Sequence, residues 1–175
     1  FYRCGPVVKG LVVNPKLADG EYCRIQRLER YQSVPILLRQ TASRPIACRH
    51  TERTYFRNSL LACMGIPGIA DAALVGILNS RLIGLWYRST TGDSAQRAFP
   101  QVKVGVMRQM PMFTGDPQNF SASEGHTLGL LVEAVMELET ADDFTTDASA
   151  ALLERIDRLV FRLYGVEESV AEEAM

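Results

Sequence analysis

Cysteine is scarce in this sequence. Four residues in 175, at positions 4, 23, 48 and 63, are too few and too dispersed for a disulfide scaffold, so a reducing compartment is the default. No run of about 20 uninterrupted apolar residues exists to span a bilayer. The best candidate, residues 69–87, carries Asp71, Asn79 and Arg81. The chain opens at Phe1 with neither an initiator Met nor a basic-then-apolar leader, and reads as a piece of a longer cytoplasmic protein. Nothing repeats internally. What is present is ordinary for a folded globular protein: 47% hydrophobic and 22% charged residues exclude disordered and collagen-like classes. A chain of this length buries roughly 70% of its unfolded surface, enough for one full core or a core with an appendage.

The net charge is −1, but its distribution is lopsided. Residues 1–110 hold 16 of the 19 Lys/Arg and 6 of the 20 Asp/Glu, a balance of +10; residues 111–175 stand at −11. Such asymmetry points to a polyanion partner for the basic part. The plainer alternative is an acidic part that packs beside the basic part and neutralises it.

The first hundred residues are punctuated like a sheet. Val7–Val13, closed by Asn14-Pro15, and the alternating Tyr22–Leu28 read as strands, as does Pro35–Thr41 before the break at Ser43-Arg44-Pro45. Residues 46–52 and 54–61 read as its antiparallel continuations. From Ala70 the apolar residues Leu74, Ile77, Leu78, Leu82, Leu85 and Trp86 recur at three-four spacing, which predicts an amphipathic helix over 69–88. Residues 89–94 read as an exposed loop. After Pro100 the alternation of Val102, Val104 and Val106 suggests a last strand. A linker at 113–120 precedes two further helices. Ser121 and Glu124 are spaced for a capping box. The stripes Leu128, Leu131, Val132, Val135, Leu138 and Leu152, Ile156, Leu159, Val160, Leu163 define two apolar faces, with Gly165 as terminator.

Catalytic patterns are weak throughout. Cys48 and His50 lie close together, but no C-x₂₋₄-C pair accompanies them as structural zinc requires. No third group is evident to orient His50 for a nucleophile pair. Gly65-Ile66-Pro67-Gly68 precedes a helix without the Gly-Lys-Ser/Thr of a phosphate loop and reads as a turn. Asn14-Pro15-Lys16-Leu17 lacks the later residues of an Asn-Pro-Pro-aromatic amino-methylation motif. No catalytic residue, metal ligand or cofactor contact is assigned.

The polar chemistry that remains is guanidinium and amide. Arg39, Gln40, Arg44, Arg49, Arg53 and Arg57 fall within nineteen residues. Arg81 and Arg88 are two turns apart on one helix, with Gly84 between them expected to leave the surface bare. Gln96, Arg97, Gln101 and Lys103 surround Phe99-Pro100. Arg and Gln are the types that pair bidentately with guanine and adenine edges in the major groove. Arg44 stands before a proline at a turn, where it can project outward, and Arg97 lies in a loop. For any single arginine a solvated surface is the simpler account; the set favours nucleic acid.

These residues also carry a family resemblance. Pro35-Ile36-Leu37-Leu38-Arg39-Gln40-Thr41 and its continuation to Ala47 resemble the "I-L-x-R-x-T" opening of the TaqI-like specificity domain. That domain is the target-recognition module of adenine-specific DNA methyltransferases and fused type II restriction–modification enzymes. Tyr55–Leu60 continues the match, and Leu74–Ile83 resembles the family's "L-L-a-i-L-N-S-K-L-i" helix. Phe99–Val104 resembles "F-P-Q-I-K-I", Met107–Pro111 the "L-x-x-L-P" close, and Ile156–Val166 "I-D-x-L-V-Y-x-L-Y-G-L". The resemblance covers about 34–112 and 152–168, with 1–33 fitting poorly. Within it, Leu78 and Leu82 read as core, Asn79-Ser80 as hydrogen-bonding a neighbouring strand, and Pro100 as setting the path into the last strand.

The sequence therefore predicts an α+β module over 1–112, mainly antiparallel or mixed sheet with a buried amphipathic helix, then the linker and a C-terminal helical pair over 121–175. The resemblance implies a bacterial, cytoplasmic restriction–modification context and recognition of a short duplex DNA sequence. DNA would be met by Arg39, Gln40, Arg44, Arg49, Arg53, Arg57, Arg81, Arg88, Gln96, Arg97 and Lys103. It implies an upstream methyltransferase domain in the same parent chain, an adenine-N6 enzyme with or without endonuclease activity. S-adenosylmethionine is expected there, and no cofactor here. The competing expectation is an interaction module whose C-terminal helices dock a partner chain without touching DNA.

Overall fold

The computed structural model describes residues 27–51, 55–91, 100–112, 122–138, 146–167 and 169–170. Along the chain these form α1 (Leu28–Gln32), β1 (Ile36–Arg39), β2 (Ala47–Arg49), β3 (Leu60–Cys63), α2 (Asp71–Asn79), α3 (Arg81–Thr91), α4 (Val104–Met107), α5 (Ala122–Leu138) and α6 (Thr146–Leu163). The fold is α+β. Val7–Val13 and most of Tyr22–Leu28 lie outside the described residues; Leu28, the end of the second of these, opens a helix instead.

The three strands make one antiparallel sheet in the order β2-β1-β3, with β1 central. Ile36 pairs with Arg49 and Cys63, and Leu38 with Ala47 and Leu61. Alternation then puts Ile36, Leu38 and Ala47 on the face that builds the core. β3 lies later than the 54–61 expectation, because the chain turns at Asn58-Ser59 before pairing.

α2 is the centre of the molecule. Residues 72–78 are buried on every side, as befits a helix apolar all round. It packs on β2 beneath the sheet and is flanked by α5 and α6. Leu128, Leu131, Val132 and Val135 of α5 and Ile156, Leu159 and Val160 of α6 belong to the same core cluster as α2. A Cβ on Gly76 would stand 2.8 Å from Val132 Cγ2 and 3.2 Å from Leu128 Cδ1, so glycine is what lets α5 approach so closely. Both predicted C-terminal stripes are thus covered within the chain. Ser121 of the expected capping box is outside the described residues; Glu124 faces Arg162 of α6 at 3.7 Å.

Three predicted elements differ. The single helix over 69–88 is two helices broken at Ser80, whose backbone is extended (φ −60°, ψ 155°). Ser80 Oγ donates to the Ile77 carbonyl at 2.7 Å and accepts the Ile83 N–H at 3.3 Å, closing one helix while capping the next. α3 then runs through Ser89, Thr90 and Thr91, predicted as loop. Their hydroxyls bond back to the carbonyls of Trp86, Trp86 and Tyr87 at 2.8 Å each. The last strand reduces to an antiparallel bridge between Thr41 and Gln101. Val104 and Val106 belong to α4, which follows directly on the 101–103 segment that Tyr87 holds.

Candidate nucleic-acid interface

The sheet has two unlike ends. At one, β1 runs out in Arg39 and Gln40. The Gln40 N–H donates to the Ser59 carbonyl at 2.9 Å, and its carbonyl accepts the Val102 N–H at 2.7 Å. Gln40 thereby draws the Arg57–Ser59 turn and the 101–103 segment to the same place. Tyr87, buried in α3, holds that segment: its hydroxyl donates to the Gln101 carbonyl at 3.2 Å and accepts the Lys103 N–H at 2.8 Å. Arg88 follows on the helix. Arg39, Arg57, Arg88 and Lys103 are exposed here, and Gln40 is partly buried. Backbone pairing thus brings Arg39, Gln40, Arg57 and Lys103, far apart in sequence, to one end of the sheet.

Arg44 and Arg81 sit beside this end but are tied to the protein. Arg44 does not project freely: its Nη1 donates to the Asn79 carbonyl at 2.8 Å. Gly84 is not bare either. It is buried, and a Cβ there would lie 3.2 Å from Arg44 Cδ, so the arginine stem covers it. Arg81 is fixed by Asp157 of α6, whose Oδ1 accepts the Arg81 N–H at 2.8 Å and whose Oδ2 meets Nε at 3.3 Å. The Arg81 side chain still leaves half its surface exposed. Burial pushes the Asp157 carboxyl above its ordinary value; the Arg81 N–H and the charges of Arg81 and Arg44 pull the other way.

At the opposite end stand Arg49 and His50. Arg49 pairs with Ile36 and reaches Glu133 of α5 at 3.2 Å. His50 is buried, with Nδ1 3.0 Å from the Val34 carbonyl and its ring edge-on to Phe56. That is a packed core histidine beside an aromatic group completed by Tyr31 and Tyr55. Among the described residues no group of three or more His, Cys, Asp or Glu is placed to hold a metal ion. The turn at Gly65–Gly68 is shut by an Ile69 N–H to Ile66 carbonyl bond of 3.1 Å, with positive φ at both glycines, as a plain turn requires. Arg53, Gln96 and Arg97 lie outside the described residues.

The sheet register adds what sequence reading left out. Asn58 and Ser59 are exposed polar groups beside Arg39 and Gln40, visible only once Arg39 is known to pair with Leu60. Asp157 was missed, although an acid next to Ile156 within an apolar stripe is a signal; its partner Arg81 lies 76 residues away.

Chemically the surface offers guanidinium, ammonium and amide donors with few restraints on rotation. Those suit phosphate oxygens and purine edges. No helix among the described residues is long and apolar enough to cross a membrane. The family model of the TaqI-like C-terminal specificity domain matches residues 16–112. The match starts ahead of residue 34 and takes in β1 to α4. No curated protein and no solved structure matches the chain.

Proposed function

We propose that this chain, which belongs to the TaqI-like C-terminal specificity domain family, reads a short duplex DNA sequence on behalf of an adenine-N6 methyltransferase domain. DNA target recognition in restriction–modification is what that family's module does. The finer reading is that contact is made by the sheet end bearing Arg39, Gln40, Arg57, Arg88 and Lys103. One observation supports it most: the hydrogen bonds of Gln40 to Ser59 and Val102 gather separate basic segments onto one exposed surface. Arg81 adds a half-exposed charge on the same helix as Arg88. In that division of labour phosphate contacts set the register and base-edge contacts select the sequence. S-adenosylmethionine belongs, on this proposal, to the methyltransferase domain, which also presents the adenine.

The test is fluorescence anisotropy with a duplex oligonucleotide at several salt concentrations. Each phosphate neutralised contributes about −0.9 to the slope of log affinity against log salt. Arg39→Ala, Arg57→Ala and Lys103→Ala should each weaken binding, and a residue on phosphate should flatten the slope by about one. Arg49→Ala, at the far sheet end and paired with Glu133, should leave the slope unchanged. Absence of binding at low salt, or a loss confined to Arg49→Ala, would refute the placement.

A further inference from the structure

The break at Ser80 leaves a carbonyl end of α2 and an N–H end of α3 side by side, and each is met by an opposite charge. Arg44 donates to the last carbonyl of α2, that of Asn79, at 2.8 Å; Asp157 accepts the first N–H of α3 at 2.8 Å. Cations at helix C-termini and anions at N-termini are the favourable arrangement. Asn79 adds a second hold on the same segment. Its side-chain Oδ1 accepts the Ala47 N–H at 2.7 Å and its Nδ2 donates to the Ala47 carbonyl at 2.9 Å. The β1–β2 loop is therefore pinned at Gln40, Arg44, buried Pro45 and Ala47. Thr41 is held as well, by its bridge to Gln101, so only Ala42 and Ser43 remain between the pins.

We propose that Arg44 is a positioning residue rather than a base contact: a strut that sets the 42–43 tip for DNA, braced on the α2–α3 break that Asp157 of α6 holds from the other side through the Arg81 N–H. The inference rests on the DNA-reading function proposed above and deepens it. It gives the C-terminal helices, which lie beyond the family-matched segment, a part in recognition without bringing their acidic surface to the phosphates. Gly84 belongs to the device, since any side chain there would press on the Arg44 stem at 3.2 Å.

The experiment uses the 175-residue chain with duplexes carrying a randomised core, sequencing the bound fraction for wild type, Arg44→Ala and Asp157→Asn. A strut whose loss frees the whole tip should relax selection at two or more adjacent base pairs in Arg44→Ala, with an unchanged salt slope. Asp157→Asn, altered at a buried position, should relax the same base pairs. Relaxation at one base pair with a wild-type Asp157→Asn pattern would make Arg44 a direct reader and overturn the proposal. A slope flatter by about 0.9 would make it a phosphate contact and overturn it equally. Hydrogen exchange on the free protein gives a second reading: the Ala47 amide should exchange at least tenfold faster in Arg44→Ala. If wild type selects no sequence, the DNA reading fails; the strut then stands or falls on the Ala47 amide, and unchanged protection overturns it.

Discussion

Replacing Asn79 should be among the most damaging single changes in this chain. Among the described residues β2 is an edge strand, and the polar groups of Ala47 that point away from β1 meet no neighbouring strand there. The Asn79 side chain supplies both partners, at 2.7 and 2.9 Å, as a further strand would. Ala47 is 1% exposed, so water cannot easily take over. Each stranded backbone group costs about 1–3 kcal/mol, which puts Asn79→Ala, with two such groups, at a loss of about 2–6 kcal/mol. Against a typical total of about 5–15 kcal/mol that is a large share. Asn79→Asp is the sharper probe. At about pH 7 the carboxylate keeps the acceptor for the Ala47 N–H but sets a second oxygen against the Ala47 carbonyl. A protonated carboxyl regains an O–H donor, so part of the loss should return in acid. Urea unfolding at both pH values measures this, with a shifted midpoint at constant m-value. A variant as stable as wild type at neutral pH, or one with no recovery in acid, would refute the assignment of Asn79 as a surrogate strand.

Other outcomes follow from the same packing. Gly76→Ala gains about 1 kcal/mol of helix propensity but forces a methyl to 2.8 Å from Val132 Cγ2, an overpacking cost of about 1–3 kcal/mol; a stabilised variant in urea unfolding would mean α5 yields freely. Ile156→Ala, at a site 1% exposed, should cost about 2–5 kcal/mol; an unchanged melting temperature would mean the α6 stripe is not part of this core. Burial raises the Asp157 carboxyl above 3.8, so the folded chain holds a proton the unfolded chain releases. Its contribution is then greatest below 3.8 and is lost as pH rises through the raised folded value. The stability of wild type minus that of Asp157→Asn should fall across that window, and a rising difference would mean that Arg81 and Arg44 outweigh burial.

Local chemistry and periodicity settled much of this molecule in advance. The three-four stripes of α5 and α6 and the apolar run of β1 are burial patterns that one segment displays by itself. The turn at Gly65–Gly68 is equally local, whereas the bonding of Asn79 to a strand was expected only from the family resemblance. The ordered motif blocks likewise carried the family resemblance without a fold, and the charge asymmetry pointed to a polyanion partner. Tertiary structure decided where each charge is spent. Arg39, Arg44, Arg49 and Arg57 look alike in a sequence, each a cation in a basic stretch. Strand register sends Arg49 towards Glu133 and leaves Arg39 beside Ser59 and Leu60. The break at Ser80 turns Arg44 into a helix-end partner and buries Gly84 beneath it. Asp157 meets Arg81 across 76 residues, and no local pattern encodes such a pairing. Periodicity reports which side of a segment is buried; the fate of an exposed charge depends on which distant segment is folded against it.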